Sequence, residues 1–208
     1  MCKKFLIAPV VVCFALLFFA SCEKDTRGRK AATPEIKRGV EPVADNEIAV
    51  IEKQQPAYGV IKLELYSNLA PQMVARFKEL AREGFYNGTT FHRVSPQVIQ
   101  GGSPLSKDDN PNNDGNGNSD KQNVPAEFSD LPFDTGILGA ARSTDPNSAN
   151  SQFFIMLKRE PDFDARYTIF GKVLDGMSNV RTIGGAQPLE RERPLENVVV
   201  KSITIQPK

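Results

Sequence analysis

Hydrophobic positions change their spacing several times along the chain. From Phe5 to Ala20 they are nearly continuous, in "FLIAPVVVCFALLFFA", behind two lysines. From Glu23 to about Asp45 charged and small residues mix with two prolines and no apolar period emerges, so this stretch reads as a flexible tether. Alternation of apolar and polar residues then begins in "EIAVIEKQ" and "YGVIKLELY". That is the signature of half-buried strands, joined here as a hairpin near Gln55-Pro56. In "LAPQMVARFKELAREGFYNG" the period lengthens, with Met73, Phe77, Leu80 and Ala81 at helical spacing. Pro71 suits a first turn and Gly84 a stop. Short strands are expected at "GILGAA", "SQFFIML", "YTIFGKV" and "ENVVVKSITI", with a second helix over Gly176 to Ile183 ended by Gly184-Gly185. Many short strands and two helices point to a mainly β barrel or sandwich.

Composition narrows the function classes. In 208 residues of net charge +1 there are thirteen Phe, four Tyr and no Trp. The aromatic content suits a packed core, and no basic cluster interleaves with aromatics, so nucleic acid is not an expected partner. The chain is long enough for one well-buried domain, expected over 46–208, plus a tail.

The N-terminus reads as an address. Lys3 and Lys4, the apolar run and the small residues before Cys22 form an export signal over 1–21. A retained membrane helix is the alternative, but the run falls somewhat short of the ~20 residues that span a bilayer, and Pro9 interrupts it. "FASC" resembles a bacterial lipobox, which implies lipidation of Cys22 and a tether over 22–45 holding the domain at a membrane of the cell envelope. Cleavage there removes Cys2 and Cys13 and leaves no disulfide partner. Ordinary signal cleavage beside a coincidental cysteine is the other reading.

Chemistry concentrates in three segments: "FHRVSPQVIQGG" at 91–102, "AARSTDPNSANSQFFI" at 140–155 and "YTIFGKVLDGM" at 167–177. Arg93 lies inside an apolar run, where a guanidinium needs a partner or a task. His92, the only histidine, invites a hydrolase reading with Ser95 or Ser103. No nucleophile-elbow pattern accompanies it, and a structural histidine is preferred. In the polar loop "SKDDNPNNDGNGNSDKQN", Asn110, Asn112, Asp114 and Gly115 match the start of a calcium loop, but Lys121 stands where a bidentate Glu is required. An ordinary solvated loop is the reading, and no metal or other cofactor is expected.

Taken in order and at their spacing, FHR, QGG, SQFFI and FGKV closely resemble the cyclophilin-type peptidyl-prolyl cis-trans isomerases, from about Ala49 to Ile205. The resemblance implies a closed eight-stranded antiparallel β-barrel capped by two helices, with an active-site groove on its outer surface. It also implies partners that are proline-containing, unfolded or exported polypeptides, and a monomer is expected. Such a reaction needs no nucleophile or metal. The prolyl amide is held planar by resonance, with a rotation barrier of ~18–20 kcal/mol, and its twisted state exposes a nitrogen lone pair. A fixed cationic donor aimed at that lone pair binds the twisted state best. Arg93 takes that role by resemblance, with Gln152 orienting it. Phe154 walls the proline, and Gln100, Val98, Ala141, Arg142, Phe163 and Tyr167 line the groove.

Three departures from the family stand out. Only six residues, "VSPQVI", separate Arg93 from Gln100 where seven are usual, and the pocket aromatic is missing, with Gln97 or Val98 in its place depending on the direction of counting. The Ser95-Pro96 turn must absorb the deletion if Gln100 is to keep its face. Asp162 stands where many relatives carry an aromatic or histidine that helps bind cyclosporin, and Tyr167 where they carry a pocket histidine. Arg142 replaces a common asparagine. A catalytically weak module that binds proline-containing segments is therefore the competing reading.

Overall fold

A computed structural model describes residues 34–108, 110–186 and 192–208. The stretch read as an export signal, with Cys22, lies outside them. Among the described residues, ten strands and two helices form in the order β1 (Ile36–Lys37), β2 (Glu47–Lys53), β3 (Val60–Leu65), α1 (Pro71–Arg82), β4 (Arg93–Val94), β5 (Val98–Gly101), β6 (Phe128–Ser129), β7 (Ile137–Ala140), β8 (Phe153–Met156), β9 (Ile169–Asp175), α2 (Met177–Gly184) and β10 (Val200–Pro207). Eight of the strands make one antiparallel sheet, ordered β10-β2-β3-β9-β7-β8-β5-β4. Both alternating stretches near the start of the domain pair as expected, with Ile51 opposite Ile61 across a 3-10 turn at Pro56–Tyr58.

The sheet curls into a half-barrel rather than closing as a continuous ladder. Its margins β4 and β10 share no ladder among the described residues. They meet at a single bridge, Thr90 to Val199, flanked by Phe91 N–H donating to Val198 O at 3.0 Å and Gly88 N–H donating to Val200 O at 2.8 Å. A two-residue β4 is too short to carry more.

Alternation along the strands splits the apolar residues between two clusters. Ile51, Ile61, Leu63, Phe153, Ile155 and Phe170 face α1 side chains Met73, Phe77 and Leu80 in the main core. Their neighbours Val98, Phe154, Met156 and Ile169 point the other way, into a second cluster with Phe133, Ile137 and Tyr66. Helix α1 lacks a side-chain cap of its own. Its orphan amides are taken by Glu127, whose carboxylate accepts from Gln72 N–H at 3.2 Å and Met73 N–H at 3.0 Å. A buried carboxylate there satisfies two donors and favours the positive end of the helix.

The region read as a tether differs from expectation from Pro34 onward. Strand β1 pairs in parallel with β6, Lys37 Nζ donates to Leu69 O at 2.6 Å, and Val40 and Ala44 pack on the second cluster. Asn68 clasps the segment from both sides, accepting from Val43 N–H and donating to Glu41 O. Asp45 ends it by accepting from Lys78 at 2.5 Å and from Ser67. The apolar residues Ile36, Val40 and Val43 follow no regular period because the segment lies as an irregular strap, in contact with the domain at scattered points.

Candidate active site

The site is a row laid across four neighbouring strands. Arg93 on β4 pairs with Gln100 on β5, Gln100 with Phe154 on β8, and Phe154 with Gly139 on β7. Residues directly opposite across a ladder lie on one face, so backbone register alone sets these side chains side by side. Because the period is two, Gln152 and Val98 share that face with Phe154 and Gln100. The short segment "VSPQVI" closes in a tight turn. Ser95 N–H donates to Val98 O at 2.9 Å, and Ser95 Oγ accepts from the amides of Gln97 and Val98 at 3.2 Å each. Gln100 keeps its face, as the pairing requires. Val98 points into the second cluster, 2% exposed.

A continuous polar chain runs through the row. Arg93 Nη1 donates to Gln100 Oε1 at 3.3 Å, Gln100 Nε2 donates to Gln152 Oε1 at 3.0 Å, and Gln152 Nε2 donates to the carbonyls of Gly115 and Gly117 at 2.9 and 2.8 Å. Gln152, 7% exposed, has its amide orientation set by those two acceptors, and through Gln100 it orients the guanidinium. The polar loop, read from sequence only as solvated, thus supplies the two carbonyls on which the chain rests. Its abundance of Asn and Gly was the signal, since such residues let a loop turn its carbonyls inward. Asx turns hold it, with Asn110 N–H donating to Asp108 Oδ1 and Asn112 N–H to Asn110 Oδ1.

Beside this chain lies an aromatic corner. Phe154, 3% exposed, stacks on Phe133 at 5.9 Å and meets Phe163 and Tyr167 edge-on at 5.7 and 5.6 Å. Phe163 and Tyr167 are partly exposed and lie 4.9 Å apart, so they present the apolar rim while Phe154 forms the base behind them. Gly139 makes this possible, because a Cβ there would lie 2.3 Å from the Phe154 ring. Ala141 is held by its N–H to Gln152 O at 3.0 Å. The Arg142 side chain turns away along the surface, donating to Arg166 O and Ser143 O and covering the Tyr167 ring at 4.5 Å. Asp162 is exposed on a short 3-10 turn. A cleft of about 410 Å³ adjoins Gln100 and Gln152, bordered also by Ala141, Arg142, Asn116 and Asn123.

His92 is 6% exposed, and burial pushes its imidazole down to about 4, with Arg93 and Arg193 adding to the effect. It is neutral at physiological pH and stands behind the row, so it has the character of a structural residue and not of a proton carrier.

Residues 49–205 match the family model described as cyclophilin type peptidyl-prolyl cis-trans isomerase/CLD. The chain belongs to that family. A probable peptidyl-prolyl cis-trans isomerase of Brucella suis is 46% identical over 145 residues, covering 67% of this chain and 73% of the relative. The human peptidyl-prolyl cis-trans isomerase-like 1 is 35% identical over 150 residues, 70% of this chain and 86% of its own length. Among solved structures, a Cryptosporidium parvum cyclophilin-type isomerase studied in the presence of the dipeptide Ala-Pro superposes with a TM-score of 0.69 at 29% identity, covering 77% of this chain and 99% of that one. The protein is a cyclophilin-type peptidyl-prolyl cis-trans isomerase.

Proposed function

We propose that the protein accelerates rotation about X–Pro bonds by donating a hydrogen bond from Arg93 to the prolyl nitrogen of the twisted transition state. The observation that carries this reading is the row Arg93–Gln100–Phe154, in which a cation with two ordered glutamines behind it stands beside an aromatic corner. Planar ground states offer no nitrogen lone pair, so the bond forms only in the transition state and lowers the barrier. Arginine suits the task because it stays charged and its N–H fork has a fixed direction. Substrates are segments containing X–Pro, in keeping with the Ala-Pro dipeptide named for the Cryptosporidium parvum relative.

The N-terminal pattern supports a lipoprotein of the bacterial cell envelope that works on exported proteins. Among the described residues no helix is long and apolar enough to cross a membrane, and an acylated Cys22 would serve as the anchor. Mass spectrometry of the mature N-terminus should find a lipidated Cys22; an unmodified residue at any other start defeats this part.

The catalytic part is tested by a protease-coupled isomerisation assay on X-Pro tetrapeptides. Arg93→Ala should lower kcat by more than tenfold while leaving KM within about threefold, the split expected when an interaction exists only in the transition state. Equal turnover in the variant overturns the assignment. Peptide binding by the unaltered protein without acceleration would instead establish the binding-module reading.

A further inference from the structure

Arg93 has a partner that neither the motifs nor the row account for. Its Nε donates to Glu192 Oε2 at 2.6 Å, with the two side chains 44% and 41% exposed. Gln100 holds Nη1 from a different side of the same guanidinium. Two acceptors on two sides fix both the position and the plane of the group, and neither uses Nη2, whose N–H groups remain for a substrate.

The seat of Glu192 is built. Its φ of +63° lies in the left-handed region, which L side chains adopt only at a cost, so neighbouring contacts must hold it. Arg193 supplies them. Its Nε lies 3.3 Å from Asp114 Oδ2 with the two side chains 17% and 5% exposed, and its Nη2 donates to Asn197 Oδ1 at 2.8 Å. Pro194 then restricts the next φ. Asp114 directly precedes Gly115, whose carbonyl receives Gln152 at the far end of the polar chain. One nearly buried ion pair therefore ties together the two loops that terminate the chain Glu192–Arg93–Gln100–Gln152–Gly115.

We infer that Glu192 is a positioning residue for Arg93, seated by the Arg193–Asp114 pair, and that together they hold the guanidinium plane in the orientation catalysis requires. The inference rests on the isomerase reading above, so one of its two readouts is independent of activity.

That readout is the ¹⁵N-edited NMR signal of Arg93 Nε–H in the wild-type protein, which should be shifted downfield and protected from solvent exchange. Glu192→Ala should abolish both features, whereas Glu192→Gln, which still offers an oxygen acceptor, should keep the protection. In the kinetic arm, Glu192→Ala should lower kcat about fivefold, the scale of one partly exposed ion pair, with KM little changed. Glu192→Gln should recover most of that loss, and Arg193→Met should reproduce it in part. An unprotected Nε–H in the wild type overturns the inference whether or not the protein is active. So does a Glu192→Ala variant with unchanged or raised kcat, a rise meaning that the carboxylate restrains the arginine instead of aiming it. An inactive wild type with a protected Nε–H would defeat the isomerase reading alone.

Discussion

Replacing Gly139 by alanine asks whether the pocket wall stands where it does because a side chain is missing opposite it. An ideal Cβ at that position would lie 2.3, 2.6 and 2.9 Å from three carbons of the Phe154 ring. Carbon atoms settle at about 3.5–4.0 Å, so the ring would have to retreat by about 1 Å. It has nowhere free to go, being 3% exposed, stacked on Phe133 and enclosed edge-on by Phe163 and Tyr167. Overpacking of this kind costs about 1–3 kcal/mol, which for a domain of this size lowers Tm by about 2–12 °C. A displaced wall should also raise KM for X-Pro peptides by several-fold. Turnover should fall less, because Arg93 sits two strands further along the row. Thermal unfolding followed by circular dichroism gives the first number, and steady-state kinetics the split. The decisive measurement is a double-mutant cycle. Phe154→Leu alone destabilises by leaving a void, but in the Gly139→Ala background the smaller side chain relieves the clash, so the two changes should be non-additive by about 1 kcal/mol or more. Additive effects, or a Gly139→Ala protein melting within about 1 °C of the parent, would show that the close approach of Gly139 and Phe154 does not govern the wall.

Acid stability should report His92. Its folded value of about 4 lies below the ordinary 6.5 because burial disfavours the imidazolium, so between those values the unfolded chain binds more protons and stability falls as pH falls. The contribution is complete above about pH 6.5 and amounts to about 3 kcal/mol at 1.36 kcal/mol per unit; Asp114, whose carboxyl burial pushes up, works in the opposite direction. Urea unfolding between pH 7 and 4 should be visibly flatter for His92→Gln, and an unchanged slope would remove His92 as its source. Cyclosporin should inhibit weakly, since the exposed Asp162 carboxylate would have to lose water against a large apolar ligand. Asp162→Trp should strengthen inhibition more than tenfold, and tight inhibition of the parent protein would contradict the role given to Asp162.

The sheet and both helices were legible because each rests on a local period: alternation in "EIAVIEKQ", helical spacing from Met73 to Ala81, glycine stops at Gly84 and Gly184. The site was legible for a different reason. Phe154 lies far in sequence from Arg93 and Gln100, yet the three fall in one row once strands pair, and a family motif preserves that register even where periodicity cannot reveal it. What escaped was whatever depends on a contact between loops. The strap at 34–45 has apolar residues without a period, because an irregular segment touches its neighbours only at scattered points. Nor could spacing show that Gly115 and Gly117 present carbonyls to Gln152, since backbone acceptors leave no mark on residue type beyond the glycines that let the chain turn.

The same distinction bears on how the groove works. Residues of the row are held by ladder register, which a single substitution cannot easily shift, whereas Glu192, Arg193 and Asp114 are held by side-chain contacts between loops. Variation in those loops can alter the aim of Arg93 without disturbing the sheet that carries it. If Glu192 aims Arg93 as proposed, rate and fold should be separable: Gly139→Ala should lower Tm and weaken peptide binding together, while Glu192→Ala should lower turnover and leave Tm nearly unchanged. A Glu192→Ala variant that lost as much stability as Gly139→Ala would place the loop clasp within the folding core and remove that separation.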